Sequence, residues 1–381
     1  MSAAESNGSV YSSAGVDYAA LDAGKRDALT AALATSKLLE ASPGGHAWDG
    51  SRGEPAFVFS VGGSTFAFVL EGLGTKSMIA RIVADAGRNR FADVAYDTVA
   101  AIVNDLCCVG AVPLVVNAYF ATGSSDWYSH PDRHAALLEG WQKACIDVGA
   151  TWGGGESPSL PELVAKDEIE LAGSAIGMLP PGTEPILGQD LQAGDEIVFV
   201  TSSGLHANGA SLARMLVDRE APGALADGYE HRLPSGVRFG DALLEPTIAY
   251  SPLISSLMRD HIPLHYLSHI TGHGMLKLMR PSKRFTYEIE RLPPVPEVLG
   301  FICKHAGMTD EAAYSTFNMG CGFAIYCEAG SSEKVVGKAA ELGFEAFLAG
   351  RVLPGPRKVL LKPLNITFGG DHLNLSPRKA A

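Results

Sequence analysis

The stretch EIVFVTSSGLHANGASLARML at residues 196–216 has the pattern of a strand, a glycine-containing loop and a helix. Glycines in such a loop allow backbone N–H groups to approach a phosphate, and the N-terminus of the following helix attracts an anion. The loop is neither GxxxxGK[ST] nor a complete GxGxxG. A P-loop ATPase and a dinucleotide-binding Rossmann site are therefore not predicted.

The same order of strand, glycine loop and helix recurs at HYLSHITGHGMLKLM, residues 265–279. In the N-terminal half, AFVFSVGGSTFAFVL at 56–70 predicts a hairpin that turns at Gly62–Gly63. Helices are predicted over 17–40, 77–109 (one or two), 131–148 and 240–260, strands over 112–123 and 170–179, and a loop over 151–163.

Alternation of strands with helices, together with antiparallel hairpins, indicates an α/β (α+β) protein of two similar halves. PPGTEP at 180–185 is typical of a linker. The predicted domains are residues 1–185 and 186–381.

Composition excludes several classes of protein. The 381 residues are 46% apolar and 19% charged, which excludes disorder of the whole chain. A net charge of −12 argues against general binding of nucleic acid or membrane surfaces. The uncharged stretch at 106–125 is interrupted by glycine and proline, so no membrane span is predicted. The six cysteines form no CxxC and the N-terminus has no signal-peptide pattern, which predicts a reduced, cytoplasmic protein.

Acidic residues accompany the glycine loops GLGTK (72–76) and GGGES (153–157): Glu71 precedes the first and Glu156 lies in the second. Asp97 and Asp105 are eight residues apart, about two helical turns, so they share one helix face roughly 12 Å apart. Buried carboxylates need partners, and Mg²⁺ with ATP phosphates is one possibility. The spacing leaves a metal site and ordinary caps or ion pairs equally open.

Three histidines lie in or beside glycine loops. His206, within SSGLHANG, is suited either to hydrogen-bond an anion and act in acid–base catalysis or simply to a place at the helix entry. His269 and His273 bracket ITG, and because no third ligand is obvious nearby, a core or phosphate-contacting role is favoured over zinc.

Together, the motifs resemble the phosphoribosylformylglycinamidine cyclo-ligase (AIR synthetase) family over roughly residues 11–353. They are YSSAGVD (11–17), GLGTK (72–76), VNDL (103–106), YFATG (119–123), GGES (154–157), LAG (171–173), SSGLHANG (202–209), HITG (269–272) and TFNMG (316–320). No single motif is decisive, but the ordered set is specific.

The resemblance implies an ATP- and Mg²⁺-dependent ligase of purine biosynthesis that converts formylglycinamidine ribonucleotide to aminoimidazole ribonucleotide, ADP and phosphate. ATP would phosphorylate the formamide oxygen, and an internal nitrogen would then close the ring. The implied fold has two α/β halves, with the N-terminal strands of two chains paired in a barrel-like dimer and a C-terminal α/β sandwich. The apolar strands at 56–71 separately favour a homodimer.

The resemblance also implies roles for particular residues. Those implied to be catalytic are Lys76, Asp105 and His206. Those implied to bind ATP are Glu71, Gly72, Gly74, Thr75, Lys76, Asn104, Gly154 and Gly155. Those implied to bind the ribonucleotide substrate are Ser203, Gly204, His206, Asn208, Thr271, Gly272 and Asn318. The implied Mg²⁺ ligands are Glu71, Asp105 and Glu156.

The chain departs from the family pattern at several positions. Glu71 stands where the family usually has Asp, Ala118 and Ser159 stand where it has acids, and His273 replaces a glycine. Two alternatives therefore stay open beside the cyclo-ligase: an ATP-dependent enzyme of the same superfamily acting on another amide or acid, and a non-catalytic homologue that binds a nucleotide or regulates a partner.

Overall fold

The structure is a computed structural model that describes residues 18–218, 224–370 and 373, without the side chains of residues 18–22. The motif YSSAGVD at 11–17 lies outside the described residues. Two β-sheets, one in each half of the chain, form the framework, which confirms the predicted α/β class. In the described part of the chain, no helix combines the length and apolar character needed to cross a membrane.

The first sheet has six strands in the order β1-β2-β3-β6-β4-β5. The predicted hairpin is confirmed: β2 and β3 pair around Gly62–Gly63, where both glycines have positive φ as a tight two-residue turn requires. The sheet is open, with β1 and β5 at its edges, so barrel-like character stays a prediction about a dimer. The strands are β1 His46–Ala47, β2 Phe57–Val61, β3 Ser64–Gly72, β4 Val112–Thr122, β5 Thr151–Glu156 and β6 Ile169–Met178.

The second, third and fourth helices of the chain pack on one face of this sheet. Helix α1 spans Tyr18–Leu33, and the region 77–109 forms two helices, α2 (Lys76–Asp85) and α3 (Phe91–Cys107); α4 spans Pro131–Val148 as predicted. Helix α3 is buried along most of its length because it lies between the sheet and the second half of the chain. Trp141 of α4 meets Phe120 of β4 edge-on, with ring centroids 5.1 Å apart.

The second sheet has seven strands in the order β13-β12-β9-β11-β7-β10-β8. Strand β10 pairs antiparallel with β7 and with the edge strand β8, and every residue of β10 is buried. The strands are β7 Glu196–Thr201, β8 Leu264–His269, β9 Phe285–Ile289, β10 Cys321–Cys327, β11 Ala346–Pro354, β12 Lys358–Leu361 and β13 Ile366–Gly369. The helices of this half are α5 Ala210–Met215, α6 Phe239–Leu243, α7 Ser251–Arg259, α8 Glu297–His305, α9 Asp310–Tyr314 and α10 Ser332–Glu341.

Two local predictions were wrong. Residues 151–156 are not loop but the edge strand β5, parallel to β4. Glycine permits this pairing: a Cβ at Gly155 would lie 2.2 Å from the backbone oxygen of Ala118. The region 240–260 is not one helix, because residues 244–250 leave helical structure between α6 and α7 and bind polar side chains of α3.

Candidate active site

A cavity of about 800 Å³ opens between the two halves of the chain. The first half contributes α1, the segment 53–55, the end of β3 with the loop after it, and one side of α3. The second half contributes the loop before α5, the end of β8 and the 3-10 turn Gly274–Met279. Eight site residues predicted from the sequence line this cavity: Glu71, Gly72, Gly74, Thr75, Asp105, Asn208, Thr271 and Gly272.

Two carboxyl groups meet at the base of this cavity. Glu71, at the end of β3, lies within hydrogen-bonding reach of Asp105 on α3. Burial and the Asp105 charge raise the pKa of Glu71 to about 7. Near neutral pH, Glu71 therefore holds a proton beside the charged Asp105 unless a cation replaces it.

Asp105 keeps its negative charge because of a second partner. His269, at the end of β8, places Nδ1 2.6 Å from Asp105 Oδ1. Burial alone would raise the pKa of Asp105, but this hydrogen bond and the nearby Lys277 and Arg280 lower it to about 2. His269 Nε2 is buried and has no hydrogen-bond partner among the described residues. Burial lowers the pKa of His269 despite Asp105, so the neutral ring is favoured.

Positive side chains line the same cavity, although the protein as a whole is acidic. Arg280 donates from Nε to the backbone oxygen of Gly53 at 2.9 Å and lies 3.8 Å from Glu54 Oε2. Glu54 also accepts a hydrogen bond from Tyr266 at 2.8 Å. Lys277 is buried and donates to Thr271 Oγ1.

The predicted phosphate loop Gly72–Thr75 reaches the cavity and leads into α2. Thr75 Oγ1 lies 3.2 Å from Ser211 Oγ, so the loop also contacts the start of α5 in the other half. The N-terminus of a ten-residue helix thus faces the cavity from the first half, which favours an anion there.

Lys76 does not line this cavity. Its ammonium group is fully buried and lies 2.5 Å from Asp97 Oδ2 on α3. It also donates to the backbone oxygen of His206 at 3.0 Å, across the boundary between the halves. Its predicted role in ATP binding and catalysis stays a prediction, and the contact it makes here joins the two halves.

Asn104 has a similar position. Its Nδ2 donates to the backbone oxygen of Ile248 at 2.9 Å, and its Oδ1 accepts from Tyr250 N at 2.7 Å. Asp97 accepts from Thr247 N at 2.6 Å on the same segment. We call this set of contacts, made by Lys76, Asp97 and Asn104 with residues 245–250 and His206, the polar seam.

His206 is buried at the entry to α5 and adopts a positive φ of 60°. Its Nε2 lies 3.2 Å from Ser203 N, while Nδ1 has no partner among the described residues. Burial, with nearby His269 and Lys76, holds the pKa of His206 well below its usual value. The ring is therefore neutral and lies behind the cavity wall formed by Ala207 and Asn208.

Polar side chains fix the position of the loop before α5. Ser203 Oγ donates to the backbone oxygen of Pro246 at 2.5 Å. Asn318 Oδ1 accepts from Ser202 at 2.8 Å, and Asn318 Nδ2 donates to the oxygen of Gly204 at 2.9 Å. Three of the predicted substrate-binding residues line the cavity: Asn208, Thr271 and Gly272. The other four do not line it and lie behind its wall: Ser203, Gly204, His206 and Asn318.

Glu156 is not brought together with the other two predicted metal ligands. Glu71 and Ala118 both pair with Gly173, so they lie in one row on the face toward α3. Glu156 pairs with Tyr119 in the next row, where alternation turns the side chain to the opposite face. Across the described residues, no group of three or more His, Cys, Asp or Glu side chains is arranged around a metal position.

The remaining predicted ATP-binding residues, Gly154 and Gly155, are exposed on the edge strand β5 and do not line the cavity. Sequence reasoning missed Glu54, Lys277 and Arg280. One signal was available for Lys277, which is the single charge in the apolar run GMLKLM directly after a glycine loop. Glu54 and Arg280 are far apart in sequence and carry no local signal.

Comparison with known proteins agrees with the motif order. Residues 53–179 match the AIR synthase related protein N-terminal domain, and residues 192–362 match the corresponding C-terminal domain. The phosphoribosylformylglycinamidine cyclo-ligase of Methanobrevibacter smithii is 32% identical over 285 residues, which cover 74% of this chain and 79% of that protein. The cyclo-ligase of Thermococcus gammatolerans is 31% identical over 346 residues, which cover 91% and 96%.

A solved structure shows the same fold. The hydrogenase maturation protein HypE in complex with ATP superposes with a TM-score of 0.53 at 16% identity, over 72% of this chain and 78% of that chain. Since the two matched domains occupy most of the sequence and the identity to the cyclo-ligases exceeds 30%, the chain belongs to the family of AIR synthase related proteins.

Proposed function

We propose that the protein is an ATP-dependent cyclo-ligase that converts formylglycinamidine ribonucleotide to aminoimidazole ribonucleotide, ADP and phosphate. The observation that carries the proposal is the cavity between the halves, where paired carboxylates, a glycine loop and buried cations converge in a member of this family. The amide oxygen takes the γ-phosphoryl group of ATP, and ADP leaves. The internal nitrogen then attacks the carbon of the phosphorylated amide, and phosphate and a proton are released.

The residues present fit Mg²⁺, which the family implies. Glu71 and Asp105 are adjacent carboxylates with oxygens facing a cavity, and hard oxygen ligands suit this ion. They would hold the ion from two elements, β3 and α3. When bound, Mg²⁺ would neutralise charge on the phosphates. A role for Glu156 stays a prediction.

The protein groups then have distinct tasks. The loop Gly72–Thr75 and the N-terminus of α2 bind phosphate oxygens through backbone N–H groups. His269 orients Asp105 through the 2.6 Å hydrogen bond. Asn208 and Thr271 are positioned to hydrogen-bond the substrate, because they line the cavity from the second half.

A coupled assay of ADP release with formylglycinamidine ribonucleotide tests the function. Turnover that requires both this substrate and Mg-ATP, with aminoimidazole ribonucleotide as the product, is expected. Asp105→Asn serves as the active-site control and should abolish most of the rate. Mg-ATP binding without turnover of this substrate would contradict the proposal.

A second candidate is an ATP-dependent enzyme of the same superfamily with another substrate. Ala118 favours it, since a carboxylate there would lie in the row of Glu71, two strands away, and none is present. ADP release with a different amide or acid, but not with formylglycinamidine ribonucleotide, would identify this candidate. Absence of Mg-ATP binding in calorimetry would instead favour a non-catalytic homologue.

We also propose a homodimer through the face of the first sheet that carries Phe68 and Leu70. Phe68 is 44% and Leu70 is 69% exposed there, and Phe57, Phe59 and Phe66 stack beside them. A contiguous apolar face of this kind fits a second copy of the chain. Light scattering should show a dimer, and Phe68→Glu should shift it toward the monomer; a monomeric wild type at micromolar concentration would contradict this. The cytoplasmic location likewise stays a prediction.

A further inference from the structure

Lys277 lies in the 3-10 turn Gly274–Met279, which follows the glycine loop after β8. Its side chain is buried, only 8% exposed, and lines the cavity beside Asp105. The flanking residues of the turn are apolar and buried as well. A single cation is therefore held at one place in the wall by a rigid apolar surrounding.

The ammonium group of Lys277 is incompletely satisfied by the protein. It has three N–H donors, and Thr271 Oγ1 accepts one of them. Within the ranges that the structure describes, no carboxylate lies within 4.0 Å of it and no other acceptor bonds it. Because a buried charge is costly without partners, the two remaining donors require acceptors from the cavity.

Arg280 provides the internal comparison, since it lines the same cavity from the next turn of chain. Its Nε donates to Gly53, and Glu54 lies 3.8 Å away. Arg280 thus has protein partners for its charge. Of these two cations, Lys277 is the one whose donors are left for a ligand.

The nearby acids do not form ion pairs with the ammonium group of Lys277. Asp105 bonds His269, and Glu71 lies against Asp105, so both carboxyl groups are directed at other partners. Mg²⁺ held by these acids would compensate their charge. The ammonium group would then be an uncompensated positive charge at the cavity, which suits a phosphate oxygen.

We propose that Lys277 is a phosphate-binding residue of the active site, donating to a non-bridging phosphate oxygen of a bound ligand. The inference rests on the proposed function for the presence of phosphates in the cavity. Two sources share this chemistry: the phosphate chain of the nucleotide and the 5′-phosphate of the ribonucleotide substrate.

The test compares Lys277→Met, which keeps the length and removes the charge, with Lys334→Met at an exposed position on α10. Calorimetry measures the affinity of each full-length variant for Mg-ADP and, separately, for formylglycinamidine ribonucleotide. Loss of a charge-assisted hydrogen bond should weaken one ligand by about 10- to 100-fold. The ligand affected identifies the source of the phosphate, and Lys334→Met should bind like the wild type.

Affinities for both ligands within about twofold of the wild type would overturn the proposal, whatever happens to the thermal midpoint. A lower thermal midpoint with unchanged affinities would mean that Lys277 only balances the charge of Glu71 and Asp105. If Lys277→Met does not fold, Lys277→Gln, which keeps a polar end without the charge, takes its place and should weaken the same ligand severalfold; unchanged affinity there also overturns the proposal. If the wild type binds Mg-ADP but does not turn over formylglycinamidine ribonucleotide, only the proposed cyclo-ligase function is contradicted. The affinity of Lys277→Met for Mg-ADP still decides this inference.

Discussion

The polar seam and the cavity contain similar residues but differ in how these are satisfied. In the seam, Lys76 contacts Asp97 at 2.5 Å, and Asn104 uses both ends of its amide on backbone groups of the second half. In the cavity, two carboxyl groups lie against each other, and the ammonium group of Lys277 has one acceptor. Polar groups that are satisfied within the protein hold structure, whereas groups left unsatisfied around a cavity are available to a ligand.

Both regions come from one helix. Asp97 and Asn104 are seven residues apart on α3, and Asp105 follows directly, so all three face the second half. On this face, Asp97 and Asn104 contact residues 245–250, whereas Ala101 and Asp105 line the cavity. Substitutions of Asp97 and Asn104 should therefore have structural effects, and substitutions of Asp105 should have ligand-dependent effects.

The largest expected effect belongs to the seam. Asp97→Asn leaves the fully buried ammonium group of Lys76 without its counter-ion, which should lower the free energy of unfolding by about 3–5 kcal/mol. Denaturant unfolding measures this change. The control is Asp147→Asn on α4, whose partly exposed pair with Lys143 should contribute below about 1 kcal/mol. Equal small changes in both variants would show that the seam does not hold the halves together.

In the cavity, Asp105→Asn should weaken Mg-nucleotide binding by about 10- to 100-fold while the thermal midpoint of the unliganded protein stays nearly unchanged. The reason is that Asp105 serves the ligand, and an amide can still accept the hydrogen bond from His269. Calorimetry provides the measurement. Glu156→Gln is the matched comparison on the opposite face of the sheet and should have a smaller effect; an equal loss would make Glu156 a ligand after all.

The pH dependence of ligand binding should report on Glu71. Because its pKa is raised to about 7, the folded protein holds a proton there that Mg²⁺ must displace. Affinity for Mg-ADP should therefore rise up to about tenfold between about pH 6 and about pH 8. In Glu71→Gln this rise should be absent, and a wild-type profile flat over this range would contradict the presence of a proton on Glu71.

The stability of the unliganded protein should change with pH in the opposite direction to its affinity for Mg-ADP. The folded pKa of Glu71 lies above its unfolded value, so the carboxyl group contributes to the stability of the unliganded protein at low pH, and this contribution is lost as pH rises toward about 7. Glu71→Gln should remove that dependence. Thermal unfolding of wild type and variant without nucleotide, between about pH 4 and about pH 8, separates this effect from ligand binding.

The smallest expected effect concerns His206, which belongs to the seam through its backbone oxygen and lies behind the cavity wall. His206→Ala should lower the free energy of unfolding by about 1 kcal/mol, because the hydrogen bond with Ser203 is lost. Turnover per folded molecule should be retained, since the ring is buried and neutral. A rate loss of about 10²–10³ in a well-folded variant would instead establish the predicted catalytic role.

Much of the fold followed from local pattern. The hairpin at Gly62–Gly63, helix α4 and the strand–loop–helix of 196–216 each have a signal within a few residues. The predictions were wrong where contacts with residues distant in sequence determine the local structure. Residues 151–156 form a strand because β4 offers backbone groups to glycines that fit against it, and residues 244–250 leave helical structure because Asp97 and Asn104 bind their backbone.

The sequence by itself determined the family, through motifs in a fixed order, and it predicted as site residues Glu71, Asp105, Asn208 and Thr271, which line one cavity. Glycine loops and acids have short-range signatures because backbone conformation and helix spacing are local properties. Only the tertiary structure decided that Lys76 and Asn104 contact the seam, that Glu156 faces away from Glu71, and that Lys277 faces the cavity. Whether a charged group is satisfied by the protein or left for a ligand depends on contacts between segments more than 100 residues apart, as from Lys76 to His206 or from Asp105 to His269.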